Sequence, residues 1–342
     1  MGVFARAARA RLASRVIKRL RRAGMTDARY HSASFTVRFT RPGDDEPSVV
    51  RLTGVRRKQV TQFIAGLLRA PGLPATWAEA RPLLRPVLRG VTTTADVAEP
   101  LCRPAFPFLA EFVVVDQPDT MTYVNAAHGW GVTDDEVFAA ARGNLAGATL
   151  LGVATEPVVV QFVDDGDSYW TSHLLLDGWL AGLAEQVGGR PVAFAPDRGL
   201  LIVTADGSEH LSDLFTRAEA IFLSSSRAIT PMAYVSDEHG ATVPYEAQED
   251  RYRLCVRRSA AVLAAREYAR QAQHLPLAAE LLITPEGRTR ALWPTDEPAL
   301  LPEAEEVQMG DTTCAWAEVV EQVKPQGLSP ERWRGESWPQ RR

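Results

Sequence analysis

Apolar and polar positions along the second half of the chain fall into short alternating runs, separated by residues able to reverse the backbone. The apolar run Val158 to Val163 reads as a strand, followed by a helix from about Ser168 to Val187 and a hairpin. That hairpin is Pro191 to Ala195, the turn Pro196-Asp197-Arg198-Gly199, and Leu200 to Ala205. A second helix, about Ser208 to Leu223, leads to the hairpin Thr230 to Ser236, Asp237-Glu238-His239-Gly240, Ala241 to Tyr245. A third stretch reads as strand Tyr252 to Val256, helix Arg258 to His274, strand Glu280 to Thr284, turn Pro285-Glu286-Gly287 and strand Thr289 to Trp293. Each turn carries the Pro, Asp or Gly that a reversal needs, and Gly199 and Gly240 are expected to hold positive or otherwise restricted φ. A hairpin with one apolar face cannot bury it alone, so the preceding helix is its natural cover. The fold class expected is therefore α+β: repeated helix-plus-hairpin units, with antiparallel sheets covered by helices on one face.

The N-terminal part follows a looser version of this pattern. Residues 26–125 read as an α+β subdomain in which Phe35, Val37 and Phe39 alternate up to the turn Pro42-Gly43-Asp44-Asp45, and Val49, Val50 and Leu52 return. Val60, Phe63, Ile64, Leu67 and Leu68 then recur at helical spacing. Pro74 to Pro107 holds too many prolines for a long helix, and a hairpin runs from Glu111 to Val124 about Asp116-Gln117-Pro118-Asp119. Thr133-Asp134-Asp135-Glu136 is a capping box that opens a helix with Val137, Phe138 and Leu145 on its inner stripe and Gly147 as its C-cap. The segments so defined are 1–25, 26–125, a core at 126–250 and a C-terminal extension at 251–342.

The run Leu109 to Tyr245 resembles the YtpQ-like family of bacterial proteins. The resemblance is carried by Thr133 to Glu136 with Arg142-Gly143-Asn144-Leu145, by the acidic turn Asp165-Gly166-Asp167-Ser168-Tyr169, and by Ala193-Phe194-Ala195-Pro196 before Leu200-Leu201-Ile202-Val203. It closes on Ile229-Thr230-Pro231-Met232-Ala233-Tyr234-Val235 with Tyr245. The family has no established activity, so the resemblance implies a fold and no chemistry.

Composition narrows the class. At 342 residues, 46% of them hydrophobic and 23% charged, the chain can bury a sizeable core. No apolar run reaches the roughly 18 to 20 residues a membrane helix needs, and the best candidates, Phe106 to Val115 and Thr149 to Val160, each contain a glutamate. The three cysteines, Cys102, Cys255 and Cys314, are odd in number and widely spaced, which argues against a disulfide framework or zinc site and suits a cytoplasmic location. Cys102 reads as a small semi-buried hydrophobe.

Charge is distributed unevenly. The net charge is −4, yet Met1 to Val60 holds 15 Arg or Lys against 4 Asp or Glu, a local balance of +11 that leaves −15 for the rest. The excess centres on a helix, Gly2 to Arg22, whose Phe4, Ala8, Leu12, Val16 and Leu20, with Ile17 beside them, form an apolar stripe among cations. Such a helix serves an anionic membrane surface, nucleic acid or an acidic partner, or simply packs its stripe on the domain. The packed reading is the one expected, because the 35 arginines against three lysines mark a chain-wide bias toward arginine. No nucleic-acid partner is expected.

Candidate chemistry is sparse. Asp164, Asp165 and Asp167 with Ser168 and Tyr169 stand between a strand end and a helix start, where carboxylates could hold a hard divalent cation or merely cap the helix. With them, Asn144 and the turn residues Asp197 and Arg198 complete the candidate binding set. Ser224-Ser225-Ser226-Arg227 lacks a nucleophile-elbow context, no phosphate-binding glycine loop occurs, and His31, His173, His210, His239 and His274 form no metal-like pair. His128-Gly129-Trp130-Gly131 reads as a turn. Trp333 and Trp338, in a tail without periodicity, are expected to strap back over their own domain because of the apolar surface they would bury, the alternative being that they anchor a partner. The reading is a non-catalytic protein-interaction module without catalytic residue, metal or cofactor. The alternatives are a metal-dependent hydrolase centred on Asp164, Asp165 and Asp167, and a peripheral membrane protein attached through residues 2–22.

Overall fold

In a computed structural model, residues 3–40, 48–52, 60, 61, 64, 73–92, 100–117, 120–145, 152–163, 169–294 and 297–338 are described. The fold is α+β, with helices and several antiparallel sheets. It divides into two compact units, Met1–Leu84 with Thr94–Leu101 and Val114–Ala140, and Arg85–Thr93 with Cys102–Val113 and Ala141–Arg342.

The first unit is built on the basic helix, Val3–Arg22, lying against a three-stranded antiparallel sheet of Thr26–His31, Thr36–Thr40 and Ser48–Arg51. Ala13, Val16 and Leu20 are fully buried among Ala28, Val37, Phe39 and Leu52, and Leu12 and Ile17 pack at the margin. The packed reading of this helix therefore holds. Its inner stripe differs from the expected one, because Ala8 is exposed. A strict four-residue repeat drifts by about 40° per step on a helix of 3.6 residues per turn, so burial follows 13, 16 and 20 instead. The side chain of Phe4, the turn at 42–45 and most of the helix expected from Val60 lie outside the described residues. The capping box is formed: the Thr133 amide donates to Glu136 Oε2 at 2.8 Å and the Glu136 amide to Thr133 Oγ1 at 3.3 Å, opening the helix Asp134–Gly143. Gly147 is outside the description.

At the centre of the second unit is a five-stranded antiparallel sheet, in spatial order Thr242–Pro244, Ala233–Ser236, Pro191–Asp197, Leu200–Ala205, Val160–Val163. Both expected hairpins are present in it. The sheet is covered on both faces and not on one, which corrects the single-sided expectation. Val192, Phe194 and Ile202 pack under the helix Leu211–Ser224, while Ala193, Ala195, Leu201 and Val203 join Leu174, Leu175, Leu180 and Leu183 on the other side. Such continuous apolar runs are the pattern of a strand buried on both faces.

The helix expected over Ser168 to Val187 is not continuous. It resolves into the 3-10 turns Trp170–Leu175 and Ala181–Leu183 and the short helix Ala184–Val187. The break falls at Gly178, held at φ +75 with its amide donating 2.8 Å to the Gly240 carbonyl. Gly240 has the expected positive φ, at +86, whereas Gly199 is not among the positive-φ glycines. A Cβ on Gly240 would lie 3.2 Å from the Gly178 amide nitrogen. Gly240→Val is therefore expected to cost about 2 kcal/mol, from left-handed strain and from displacing this contact, while Gly199→Ala costs well under about 1. Thermal unfolding of the two variants checks the difference, and equal losses would refute the assignment.

Tyr252 to Val256 is helix, not strand, because one helix runs from Asp250 to Ala272. Its buried side chains serve three different clusters, Tyr252 one, Val262 and Leu263 another, and Ala264 and Tyr268 a third. Burial thus moves around the helix axis and no single stripe marks it in the sequence. The hairpin Glu280–Ile283 with Thr289–Leu292 forms as expected, but the sheet continues to Glu306–Met309 and Thr312–Ala315 through one parallel pairing.

The prolines of the looser segment do not exclude strands. Leu84–Gly90, with Pro86, and Cys102–Phe106, with Pro104, are both extended. Cys102 is exposed, which corrects the semi-buried reading.

Candidate functional site

The acidic segment expected to carry chemistry, Asp164, Asp165, Asp167 and Ser168, lies outside the described residues. Tyr169, at its end, is buried with a left-handed backbone at φ +49. Beyond it, Trp170, His173, Trp179 and Phe162 form one aromatic group, with ring centroids 4.8 to 5.8 Å apart. His173 is 1% exposed, and burial holds its pKa below the usual histidine range against opposing contributions from the backbone of Tyr169, Leu145 and Trp170. The Leu145 contact brings the chain just after Asn144 to this group, while Asn144 itself is exposed.

The titration has a definite sign. Above about pH 6.5 the imidazole is neutral in folded and unfolded chains alike, so the contribution to stability is fully present there. As pH falls below that value the unfolded chain takes up the proton first, and stability is lost down to the lower folded pKa. His173→Gln is expected to flatten this part of the profile relative to the parent between about pH 7 and pH 5. Unfolding free energies across that range decide it, and parallel profiles would count against the buried neutral imidazole.

Asp197 and Arg198 stand at the turn between the strands Pro191–Asp197 and Leu200–Ala205. Asp197 Oδ1 accepts from the Gly199 amide at 2.8 Å, and its other oxygen accepts from the Ser225 hydroxyl. Ser225 Oγ accepts from the Arg227 amide at 2.8 Å, and the Arg198 amide donates to the Arg227 carbonyl at 3.1 Å. These bonds fasten the hairpin turn to the end of the helix Leu211–Ser224. A carboxylate bonded in this way organises the turn.

Trp333 and Trp338 pack on their own unit. Arg332–Gly335 is the middle strand of a three-stranded sheet between Ala299–Pro302 and Lys324–Pro325. Trp333 meets Trp316 edge to face at 5.3 Å, and Trp338 meets the buried Trp293 at 5.8 Å. This agrees with the strap-back reading of the tail: each covers apolar surface of its own core. The His128 and Trp130 rings lie 5.0 Å apart, tilted by 33°, and Trp130 stands between two glycines of positive φ, in keeping with a turn.

One polar centre had been missed. Glu111 is 0% exposed and receives Arg103 Nε at 2.8 Å, Arg142 Nε at 2.8 Å and Arg142 Nη2 at 2.7 Å. The bond to Glu111 is the main cause of a raised Arg142 pKa. The signal was a carboxylate within the apolar run Phe106 to Val115, since a buried charge requires partners. Both carboxylate oxygens accept from arginine, so the centre ties Glu111 to Arg103 and Arg142. Among the described residues no three His, Cys, Asp or Glu side chains gather as a metal site would need. Nor, among them, is any helix long and apolar enough to cross a membrane.

The edges of the five-stranded sheet differ. Thr242–Pro244 ends in a proline, which cannot donate to a further strand. Val160–Val163 has the sequence Val-Gln-Phe-Val, pairs only with Leu200–Ala205 among the described residues, and leaves Val163 66% exposed. It carries no charge, proline or bulge. Comparison with known proteins adds no further assignment: no family model, curated protein or solved structure matches the chain.

Proposed function

We propose that this chain is a non-catalytic protein-interaction module that accepts an extended segment of a partner protein along the edge Val160–Val163. The carrying observation is the asymmetry of the sheet: one edge is blocked by Pro244, and the other is uncharged, β-prone and open among the described residues. Open edges of this composition add strands from other chains, so natural sheets guard them unless pairing is their use. Three cysteines outside any disulfide fit a reducing cytoplasm, and the likeness of Leu109 to Tyr245 to the YtpQ-like family forms part of the same proposal.

Gln161→Lys/Val163→Lys places two charges on exposed positions of this edge without touching the core. Affinity purification from the native host is expected to recover a partner with the parent chain and lose it with the variant. Hydrogen exchange on the recovered complex should show new protection at 160–163. Equal recovery by both chains without new protection there would refute the proposal.

A further inference from the structure

The first helix carries a feature independent of that edge. With its apolar stripe sealed against the sheet, Arg11, Arg15, Lys18, Arg19, Arg21 and Arg22 are left exposed. On one flank a cavity of about 400 Å³ is lined, among the described residues, by Ser14, Ile17, Lys18, Arg21 and Arg22. Ser14, Lys18 and Arg21 follow at four- and three-residue spacing and so share one side of the helix. The Arg21 guanidinium is held in place by donating 2.9 Å to the Ala28 carbonyl.

Cations in a last turn complement the negative end of a helix, and that accounts for Arg21 and Arg22 as charges. It does not account for an open pocket whose described lining also includes Ser14 and Lys18 from preceding turns. Lys18 and Arg22, four residues apart, repel each other in the free protein, and an anion between them would relieve this. A hydroxyl, an ammonium and two guanidiniums form a donor set suited to a tetrahedral oxyanion. The cavity is of small-ligand size.

We propose that this cleft binds a phosphate group, with Lys18 and Arg22 supplying charge, Arg21 a fixed donor and Ser14 a neutral one. The phosphate belongs either to a small soluble phosphoanion or to a lipid headgroup. In the second case the contact is with the headgroup alone, because Ala13, Val16 and Leu20 are core residues and cannot insert.

Two probes separate the sources: inorganic pyrophosphate by isothermal titration at low ionic strength, and cosedimentation with phosphatidylcholine vesicles containing phosphatidic acid as the only anionic lipid. Lys18→Gln/Arg22→Gln is expected to weaken binding by about tenfold or more, the loss of charge-assisted bonds. Arg11→Gln/Arg15→Gln removes the same charge outside the cavity and should weaken it by less than about threefold. Pyrophosphate binding with this ranking supports a soluble ligand, and vesicle binding alone with this ranking supports a headgroup. Binding of neither probe by the parent, or equal losses in the two double variants, overturns the proposal. All four positions are exposed, so the variants should melt as the parent does.

Discussion

Arg332→Met is expected to lower the stability of the second unit by about 3 to 5 kcal/mol. The guanidinium is 0% exposed and donates to Gln271 Oε1 at 2.6 Å and to the carbonyls of Ala279, Leu300 and Tyr268 at 3.0, 2.7 and 3.0 Å. It also lies 5.1 Å from the centroid of the Tyr268 ring. Methionine keeps much of the apolar stem but leaves four acceptors, two of them on buried residues, without this donor, in three separate segments of chain. Burial lowers the pKa of this arginine, yet the guanidinium stays charged at neutral pH because its ordinary value is so high. Arg332→Lys should recover only part of the loss, since one ammonium cannot span a planar array of acceptors. Denaturant midpoints at constant m-value measure both, and a methionine variant within about 1 kcal/mol of the parent would remove Arg332 from this role.

A second large effect is expected at Gly90, where valine should cost about 3 kcal/mol or more. A Cβ there would stand 2.4 Å from Glu267 Oε1 and 2.5 Å from its Cδ and Oε2. The carboxylate cannot swing aside freely, because it accepts from the Thr92 amide at 3.0 Å, the Thr92 hydroxyl at 2.6 Å and Arg270 Nη1 at 2.7 Å. Glu267 is 1% exposed, so displacing it both overpacks the site and strands buried polar groups. The mechanism predicts coupling: in a Glu267→Ala background the same valine finds the space vacated and should cost far less. Additive losses in the double-mutant cycle would show that Gly90 is needed for another reason.

The candidate site was less legible in the sequence than the fold. Asp197 was selected for its carboxylate, but only the structure shows both its oxygens occupied by Gly199 and Ser225. For Trp333 and Trp338 apolar burial favoured strapping back, but the surfaces they cover, Trp316 and Trp293, are set by the tertiary structure. Glu111 could be recognised as a charge in an apolar run, but its partners are separated from it in sequence by 8 and 31 positions. Lys18, Arg21 and Arg22 read simply as helix cations until the packing of Val16 and Leu20 fixed which flank stayed open.

What the sequence by itself determined was local. Turn residues and alternating apolar runs placed the hairpins around Asp197, Asp237 and Gly287, and the Thr133 to Glu136 capping box started its helix, because these preferences act over a few neighbouring residues. Only the tertiary structure decided the rest. It broke the helix after Tyr169 by pairing Gly178 with Gly240, extended the Asp250–Ala272 helix through a stretch that alternates like a strand, and drew Arg332 into a strand at the centre of a sheet. In each case the deciding partner lies far along the chain, where burial and hydrogen bonding outweigh local propensity.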